Sequence, residues 1–246
     1  ITDLKKIYTK MEIRIIGADD VRKALKMKDA IAGMHRAFSR LSSGNVEMPL
    51  RGRLQVTEQD GVLLTMPAAL PEDAELAVKL VTVFGENPRR GSPLIHAIVI
   101  VLDYNSGQIK ALIDGEVLTT IRTGAAVGAA TDLLARKDAS KVGVIGSSKL
   151  AQSQIEAVCS VRNIEHVRVF SPNPEHAQKC AEEMSGKGPV PNDVKAVSSS
   201  QKAIKNVDIV CTATTSLTPV IAFEHLKQGV HINAVGAFKP DMQEID

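Results

Sequence analysis

The chain has 246 residues, 44% of them hydrophobic and 24% charged, which is enough sequence for two globular domains. A net charge of +2, with no basic stripe interleaved with aromatic residues, argues against a nucleic-acid partner. The longest apolar run spans residues 97–102, far below the ~18–20 residues of a membrane helix, so we expect no membrane contact.

The N-terminal third begins with a basic segment followed by a helix. Residues 1–10 lack the apolar stretch of a signal peptide, which favours a cytoplasmic protein. Asp19 and Asp20 can cap one helix in which apolar residues recur at helical spacing as far as Leu41, before Gly44 ends it.

Short runs rich in β-branched residues follow and predict a sheet. Turn signals separate these runs, and the turn from Asp103 to Gln108 is the clearest hairpin connection. We expect residues 1–138 to form an α+β domain that binds substrate and whose sheet builds a homodimer interface. The predicted strands are 62–66, 76–83, 94–102 and 109–113.

The sequence of residues 119–137 predicts a helix rich in small side chains. Such a helix can approach another backbone closely, and we expect it to link the two domains. Strands and helices then alternate, which predicts a Rossmann-type, doubly wound parallel sheet over residues 139–246. The predicted strands are 141–146, 166–170, 194–197, 207–212 and 230–235, and the longer helices are 150–161 and 174–184.

The cysteines and histidines indicate no metal site. Cys159, Cys180 and Cys211 lie far apart in apolar segments, which favours buried thiols. The six histidines are scattered, without a pair at the spacing of metal ligands.

The turn between the first strand and helix of the second domain resembles the dinucleotide-binding fingerprint G-x-G-x-x-G/A. Gly146 can make the tight turn, and Ala151 is small enough for close helix–strand packing. Ser147, Ser148 and Leu150 complete the loop, and their amides can meet a pyrophosphate at the helix N-terminus. Ser148 replaces the middle glycine, so an α/β unit without a dinucleotide is the alternative.

Two further places at the carboxyl ends of the strands are candidate cofactor contacts. Ser171 follows the second strand, where no acidic residue or arginine selects between NAD and NADP, so both cofactors stay open. Thr214, Val235 and Gly236 follow the later strands and can contact a nicotinamide ring, mainly through their backbones.

A series of segments, taken together, resembles the ornithine cyclodeaminase/μ-crystallin family over Met11 to Asp246. The Arg-Thr-Gly-Ala-Ala and Pro-Asp-Met segments are specific when they occur together. The matching segments, in order, are 48–51, 66–68, 78–81, 87–88, 121–126, 144–146, 232–236 and 240–246.

The resemblance implies a nicotinamide cofactor, a homodimer and a small amino- or imino-acid substrate bound between the two domains. It implies that Arg51 and Arg122 bind the substrate carboxylate, a role suited to the arginine fork, with Met66 beside the substrate. It also implies that Arg122 and Thr123 lie near the cofactor. Surface exposure is the alternative for each arginine. Lys79, which by pattern alone can be the solvent-facing residue of a strand, would bind the carboxylate or donate a proton.

Asp241 matches the aspartate that activates water or an amine in this family. The alternative is a helix cap, with Glu244 three residues later. Family members usually continue past this segment and return to the first domain, so we expect a return segment to be missing here.

Asp241 favours an ornithine cyclodeaminase-like ammonia lyase, in which hydride leaves the α-carbon and an imine forms. The side-chain amine then attacks the imine carbon, ammonia departs and the hydride returns, so that the cofactor is regenerated. The alternatives are an alanine dehydrogenase or ketimine reductase, in which only the net redox step occurs. A μ-crystallin-like NAD(P)H-binding protein without turnover is a further alternative, suggested by Ser148.

Overall fold

The computed structural model describes residues 12–237 and 239–246. Residues 1–10, from which the lack of a signal peptide was inferred, lie outside this part. The chain divides into two compact units: the first comprises residues up to Leu25 together with Ala37–Thr119, and the second comprises Lys26–Arg36 and Thr120–Asp246. The last change from one unit to the other falls between Thr119 and Thr120, nearer the N-terminus than the boundary at residue 138 expected from sequence.

The first unit contains a six-stranded sheet with the order β1-β6-β5-β4-β3-β2. The strand β1 pairs with β6 in parallel, and all other neighbours are antiparallel. The four predicted strands and the hairpin are confirmed, whereas β1 and β2 were missed. The strands are β1 (Arg14–Ile16), β2 (Gly52–Val56), β3 (Gly61–Leu70), β4 (Glu75–Phe84), β5 (Ile95–Asp103) and β6 (Ile109–Asp114).

The single helix predicted before Gly44 is wrong, because the structure has two helices, α1 (Ala18–Ala24) and α2 (Met27–Ser42). Leu25 adopts an extended conformation and ends α1. The residues before this break belong to the first unit and those directly after it to the second. Apolar side chains continue at helical spacing through the break, so the pattern alone could not reveal it.

The helix α3 (Gly115–Leu134) runs from the first unit into the second and confirms the predicted small-residue helix. Within the second unit, Gly124 lies directly against the next helix, since an added Cβ would come within 2.7 Å of the Ser153 carbonyl oxygen. Gly128 is equally close to Ile31, with 2.7 Å to its Cδ1 atom. The expected close approach to another backbone is therefore confirmed.

The second unit is built on a five-stranded, all-parallel sheet with the order β9-β8-β7-β10-β11. The chain starts in the middle of the sheet, winds outward to β9, and then crosses to β10 on the other side of β7. This is the Rossmann topology, with its switch point between β7 and β10. The elements are β7 (Lys141–Ile145), α4 (Lys149–Val161), β8 (His166–Phe170), α5 (Pro174–Met184), β9 (Val194–Ala196), α6 (Ser200–Ile204), β10 (Ile209–Thr212) and β11 (His231–Ala234).

Apolar side chains from both faces of this sheet form the core, in which Val142, Val144, Val167 and Ile209 are at most 1% exposed. The three cysteines are buried, as predicted. Burial raises the pKa of Cys159 and Cys211 to about 12 and that of Cys180 to about 11. In the part of the chain that the structure describes, no helix has the length and apolar character needed to cross a bilayer.

A buried carboxylate holds the amino end of β10. Asp208 is 6% exposed, and its Oδ1 atom lies 2.5 Å from Arg136 and 2.6 Å from Lys227. Its Oδ2 atom accepts hydrogen bonds from the backbone amides of Ser140 and Lys141. Burial acts to raise the pKa of Asp208, but the hydrogen bonds from Lys227 and the two amides outweigh it and lower the pKa.

We expect Asp208→Asn to lower the free energy of unfolding at pH 7 by roughly 2 kcal/mol, because the amide cannot satisfy four donors. Since the folded-state pKa is depressed, the wild-type contribution is present above the unfolded value of about 3.9 and is lost as the pH falls toward the folded value. The free energy of unfolding, measured by urea denaturation, should therefore fall less in the variant than in the wild type between pH 7 and pH 3. Asp138→Asn is the control, because the exposed Asp138 also pairs with Arg136; equal effects of both substitutions would contradict this account.

Candidate functional site

The turn after β7 lies at the switch point of the second unit. Gly146 has a φ of +115°, a region that favours glycine, and its amide donates to the Phe170 carbonyl at 2.9 Å. An added Cβ on Gly146 would come within 2.6 Å of the carbonyl oxygen of Ala213, which follows β10. The first glycine of the fingerprint is therefore required both by its conformation and by the neighbouring turn.

Ser148, which replaces the middle glycine, is the N-cap of α4. Its φ of −70° and ψ of 173° are ordinary extended values, so its backbone does not require glycine. Its Oγ atom accepts a hydrogen bond from the Ala151 amide at 3.4 Å. Ala151 is fully buried in the core, as expected for the small residue that packs the helix on the sheet.

The start of α4 has the properties of an anion site. In the described part of the chain, the amides of Ser148, Lys149 and Leu150 donate to no protein acceptor. Free amides and the positive end of the helix dipole bind phosphate groups. These residues, with Ser147 beside them, therefore fit the pyrophosphate of a dinucleotide, and Ser148 does not obstruct this fit through its backbone.

Ser171 directly follows β8 and is 9% exposed. It lines a cavity of about 620 Å³ that also contains Lys179 and the carboxylates of Glu175 and Glu182. The cavity thus holds charges of both signs. Neither an acidic residue nor an arginine stands at 171–173, so this turn has the donor and acceptor of a serine hydroxyl and no charged selector.

The turns after β10 and β11 meet around a single buried carboxylate. Glu244 accepts hydrogen bonds from both the amide and the hydroxyl of Thr214, from the Thr212 hydroxyl and from the Gly236 amide, all at 2.7–2.8 Å. Val235 continues this edge, with its amide 3.4 Å from the Thr212 carbonyl oxygen. The structure thus brings together Thr214, Val235 and Gly236, and it adds Glu244, which the sequence did not single out as a site residue.

Asp241 is exposed and lies in a turn three residues before Glu244. The helix-cap alternative for these two residues is wrong, because residues 239–246 contain no helix. The carboxylate of Glu244 instead binds amides at the ends of two strands. The Gln243 amide donates to Ser216, and Ile245 forms a bridge with Ile221, so this segment runs along the chain that follows β10.

Two candidate residues of the first unit lie on neighbouring strands, and a third directly precedes the strand beside them. Met66 on β3 stands directly opposite Lys79 on β4. Arg51 is exposed and immediately precedes Gly52, whose partner on β3 is Thr65, next to Met66. The sheet therefore places all three residues side by side.

Lys79 is half-buried, and its Nζ atom donates to the hydroxyl of Thr119 at 2.5 Å. The Thr119 hydroxyl in turn donates to the Gly115 carbonyl in the first turn of α3. This arrangement fixes the ammonium group and disfavours the interpretation of Lys79 as a freely solvated strand residue.

Arg122 and Thr123 lie on α3 in the part that belongs to the second unit. Arg122 retains exposed surface, yet burial lowers the pKa of its guanidinium group. An arginine stays protonated at neutral pH even so, and its charge is available to an anion. Within residues 12–237 and 239–246, no group of three histidine, cysteine or acidic side chains could hold a metal ion.

The family model described as "Ornithine cyclodeaminase/mu-crystallin family" matches residues 11–246. The chain belongs to the ornithine cyclodeaminase/mu-crystallin family. The resemblance seen in the sequence segments is confirmed, as is the Rossmann-type fold of the second unit.

Among its relatives in this family is a delta(1)-pyrroline-2-carboxylate reductase of Bacillus cereus. The two are 38% identical over 231 residues, which are 94% of this chain and 70% of the relative. The structure of the Thermococcus litoralis enzyme of the same name, in complex with NADH and L-proline, has 39% identity and a TM-score of 0.87, covering 95% of this chain and 72% of that one.

An archaeal alanine dehydrogenase dimer with bound NAD is also similar, with 31% identity and a TM-score of 0.87 over 96% of this chain and 71% of that one. These family members are named as reductases or a dehydrogenase. The comparisons therefore favour the oxidoreductase alternative over the cyclodeaminase that Asp241 suggested.

The N-cap role of Ser148 can be tested apart from any ligand. We expect Ser148→Ala to lower the free energy of unfolding by about 0.5–1 kcal/mol, the lower part of the usual range because the cap bond is long, and Ser148→Gly by only a few tenths. Urea denaturation measures both, with Ser147→Ala as the control that removes a neighbouring hydroxyl but no cap. An alanine variant as stable as the wild type would show that Ser148 does not cap α4.

Proposed function

We propose that the protein is an NAD(P)H-dependent reductase of a small cyclic α-imino acid, of the Δ1-pyrroline-2-carboxylate class. The observation that supports this most is the 38–39% identity to pyrroline-2-carboxylate reductases over nearly the whole chain. The reaction adds a hydride to the imine carbon and a proton to the nitrogen, which yields a cyclic amino acid such as proline.

The cofactor, when bound, supplies the hydride. In this proposal the amides of Ser148, Lys149 and Leu150 hold its pyrophosphate, and Gly146 keeps the turn close enough to the strands for this contact. Thr214, Val235 and Gly236 bound the nicotinamide half. Ser171 faces the ribose, and the absence of a charged selector at 171–173 favours acceptance of both NADH and NADPH.

We further propose roles in substrate binding for the basic residues identified above. Arg51 and Lys79 flank Met66 on neighbouring positions of one sheet, which suits two donors to a carboxylate, and Met66 offers an apolar surface to a ring. Arg122 is proposed to bind the same class of anion, with Thr123 beside the cofactor. The Thr119 hydroxyl orients the Lys79 ammonium group, whose proposed role is to bind the carboxylate or to donate the proton.

A reductase requires fewer chemical steps of Asp241 than a cyclodeaminase does. No ammonia leaves and no water or amine has to be activated. An exposed carboxylate can instead pair with the protonated imine nitrogen, whose positive charge makes the carbon a better hydride acceptor.

We also propose that the first unit forms a homodimer. Large apolar side chains around β2 are exposed: Met48 is 58%, Leu50 98% and Leu54 61% exposed. Exposed apolar side chains clustered in this way are typical of an association surface, and a dimer is present in the similar alanine dehydrogenase structure.

The reductase can be distinguished from the other two functions by stoichiometry. We expect the purified protein to consume one NADH or NADPH for each Δ1-pyrroline-2-carboxylate reduced, followed by absorbance at 340 nm and by proline formation. Ornithine with catalytic NAD should give no proline or ammonia. Proline formed from ornithine would support the cyclodeaminase instead. Micromolar NADH binding by fluorescence without turnover of any imine would support the μ-crystallin-like binding protein.

Lys79→Met should lower kcat/KM for the imino acid roughly 10- to 100-fold, the usual cost of a charge-assisted hydrogen bond. The affinity for NADH should change less than about twofold, because the proposal assigns Lys79 to the substrate. Lys110→Met on β6 is the matched control, since Lys110 is an exposed lysine paired with Asp103. Equal activities of the two variants would show that Lys79 does not belong to the substrate site.

A further inference from the structure

Glu244 is a buried carboxylate that no cation accompanies in the described residues. It is 3% exposed, and none of the ion pairs of this part of the chain includes it. Its Oε1 atom accepts from the amide and the hydroxyl of Thr214, and its Oε2 atom accepts from the Thr212 hydroxyl and the Gly236 amide. A buried charge satisfied only by neutral donors needs all of them in place, because each lost bond leaves charge without solvation.

These bonds join two turns at the carboxyl edge of the sheet. Thr212 is the last residue of β10, Thr214 lies in the turn that follows it, and Gly236 follows β11. The segment carrying Glu244 is itself tied down, since the Val220 amide donates to the Glu244 carbonyl at 3.0 Å. The carboxylate therefore fixes the distance between the carboxyl ends of β10 and β11.

The fit around Gly236 is equally restrictive. An added Cβ there would lie 2.3 Å from the Thr214 carbonyl oxygen and 2.4 Å from Oε1 of Glu244. The two turns and the carboxylate thus meet with no space for another side chain. In a Rossmann fold this second pair of strands forms the mononucleotide half opposite the first glycine turn.

We propose that Glu244 is a positioning residue that sets the geometry of the nicotinamide half of the cofactor site. This inference rests on the proposed function only in that a nicotinamide dinucleotide must bind. Glu244 acts through the backbones of Thr214 and Gly236. The adenosine half, which contacts the turns after β7 and β8, does not depend on it.

The hydrogen-bond pattern explains why the side chain must be a carboxylate. Each oxygen faces one backbone amide, which can only donate, and one hydroxyl, which can rotate to accept. The NH2 group of a glutamine would therefore oppose a fixed backbone N–H whichever way it turned. An aspartate, shorter by one methylene, would not span both turns.

The test compares Glu244→Gln with the wild type in two titrations by calorimetry, one with NADH and one with ADP, which probes the adenosine half alone. We expect the NADH dissociation constant to rise at least tenfold and that of ADP to change less than twofold. Thr212→Val removes one donor without burying a new polar group, and it should raise the dissociation constant of NADH about threefold and selectively over that of ADP. This variant is the test if Glu244→Gln does not fold. Glu224→Gln is the matched control, because Glu224 is exposed.

An NADH affinity within twofold of the wild type in both variants would overturn the inference. A parallel loss of NADH and ADP binding would also overturn it, because it would show a general structural role. A protein that does not use a nicotinamide cofactor gives a different result. The wild type itself would then bind NADH no more tightly than ADP, or would bind neither, and the inference would fail together with the proposed function.

Discussion

The contact that the second unit depends on is the approach of backbone to backbone at the carboxyl ends of β7, β10 and β11. Gly146 lies against Ala213, and Gly236 lies against Thr214, in each case too closely for a Cβ atom. Because Gly146 and Gly236 carry no side chain, peptide groups are brought together at this edge beside short polar side chains such as those of Ser148 and Thr214. Such a surface suits recognition of a ligand through fixed dipoles.

The parts of the fold predicted from sequence are those whose signal is local. Runs such as 166–170 carry alternating or continuous β-branched residues between turn signals, and they agree with the strands to within a few residues. The strand β2 was missed although Leu54 and Val56 alternate with Arg53 and Gln55, because only two of its five residues are large and apolar. The break between α1 and α2 was missed because the periodicity is uninterrupted, although the two sides of the break belong to different units.

The same distinction applies to the candidate site. Gly146, Ser148 and Ala151 could be predicted because strand, turn and helix are contiguous and the spacing of small residues is itself the signal. Glu244 could not, since Thr212 lies 32 residues and Thr214 30 residues earlier, and an isolated glutamate near a chain turn carries no pattern. Asp241 carries a stronger sequence signal than Glu244 because it matches a family segment. The chemistry of a carboxylate near an iminium group is common to the lyase and the reductase, so that match could not separate them.

The three buried thiols give the native protein a practical property. Cys159 lies on α4, Cys180 on α5 and Cys211 on β10, so each occupies a different element of the second unit. With pKa values of about 11–12, they are almost entirely protonated at neutral pH and do not act as nucleophiles. Alkylation of any one of them therefore requires its element to open first. The natural chain thus carries three internal probes of local unfolding, two on helices and one in the sheet itself.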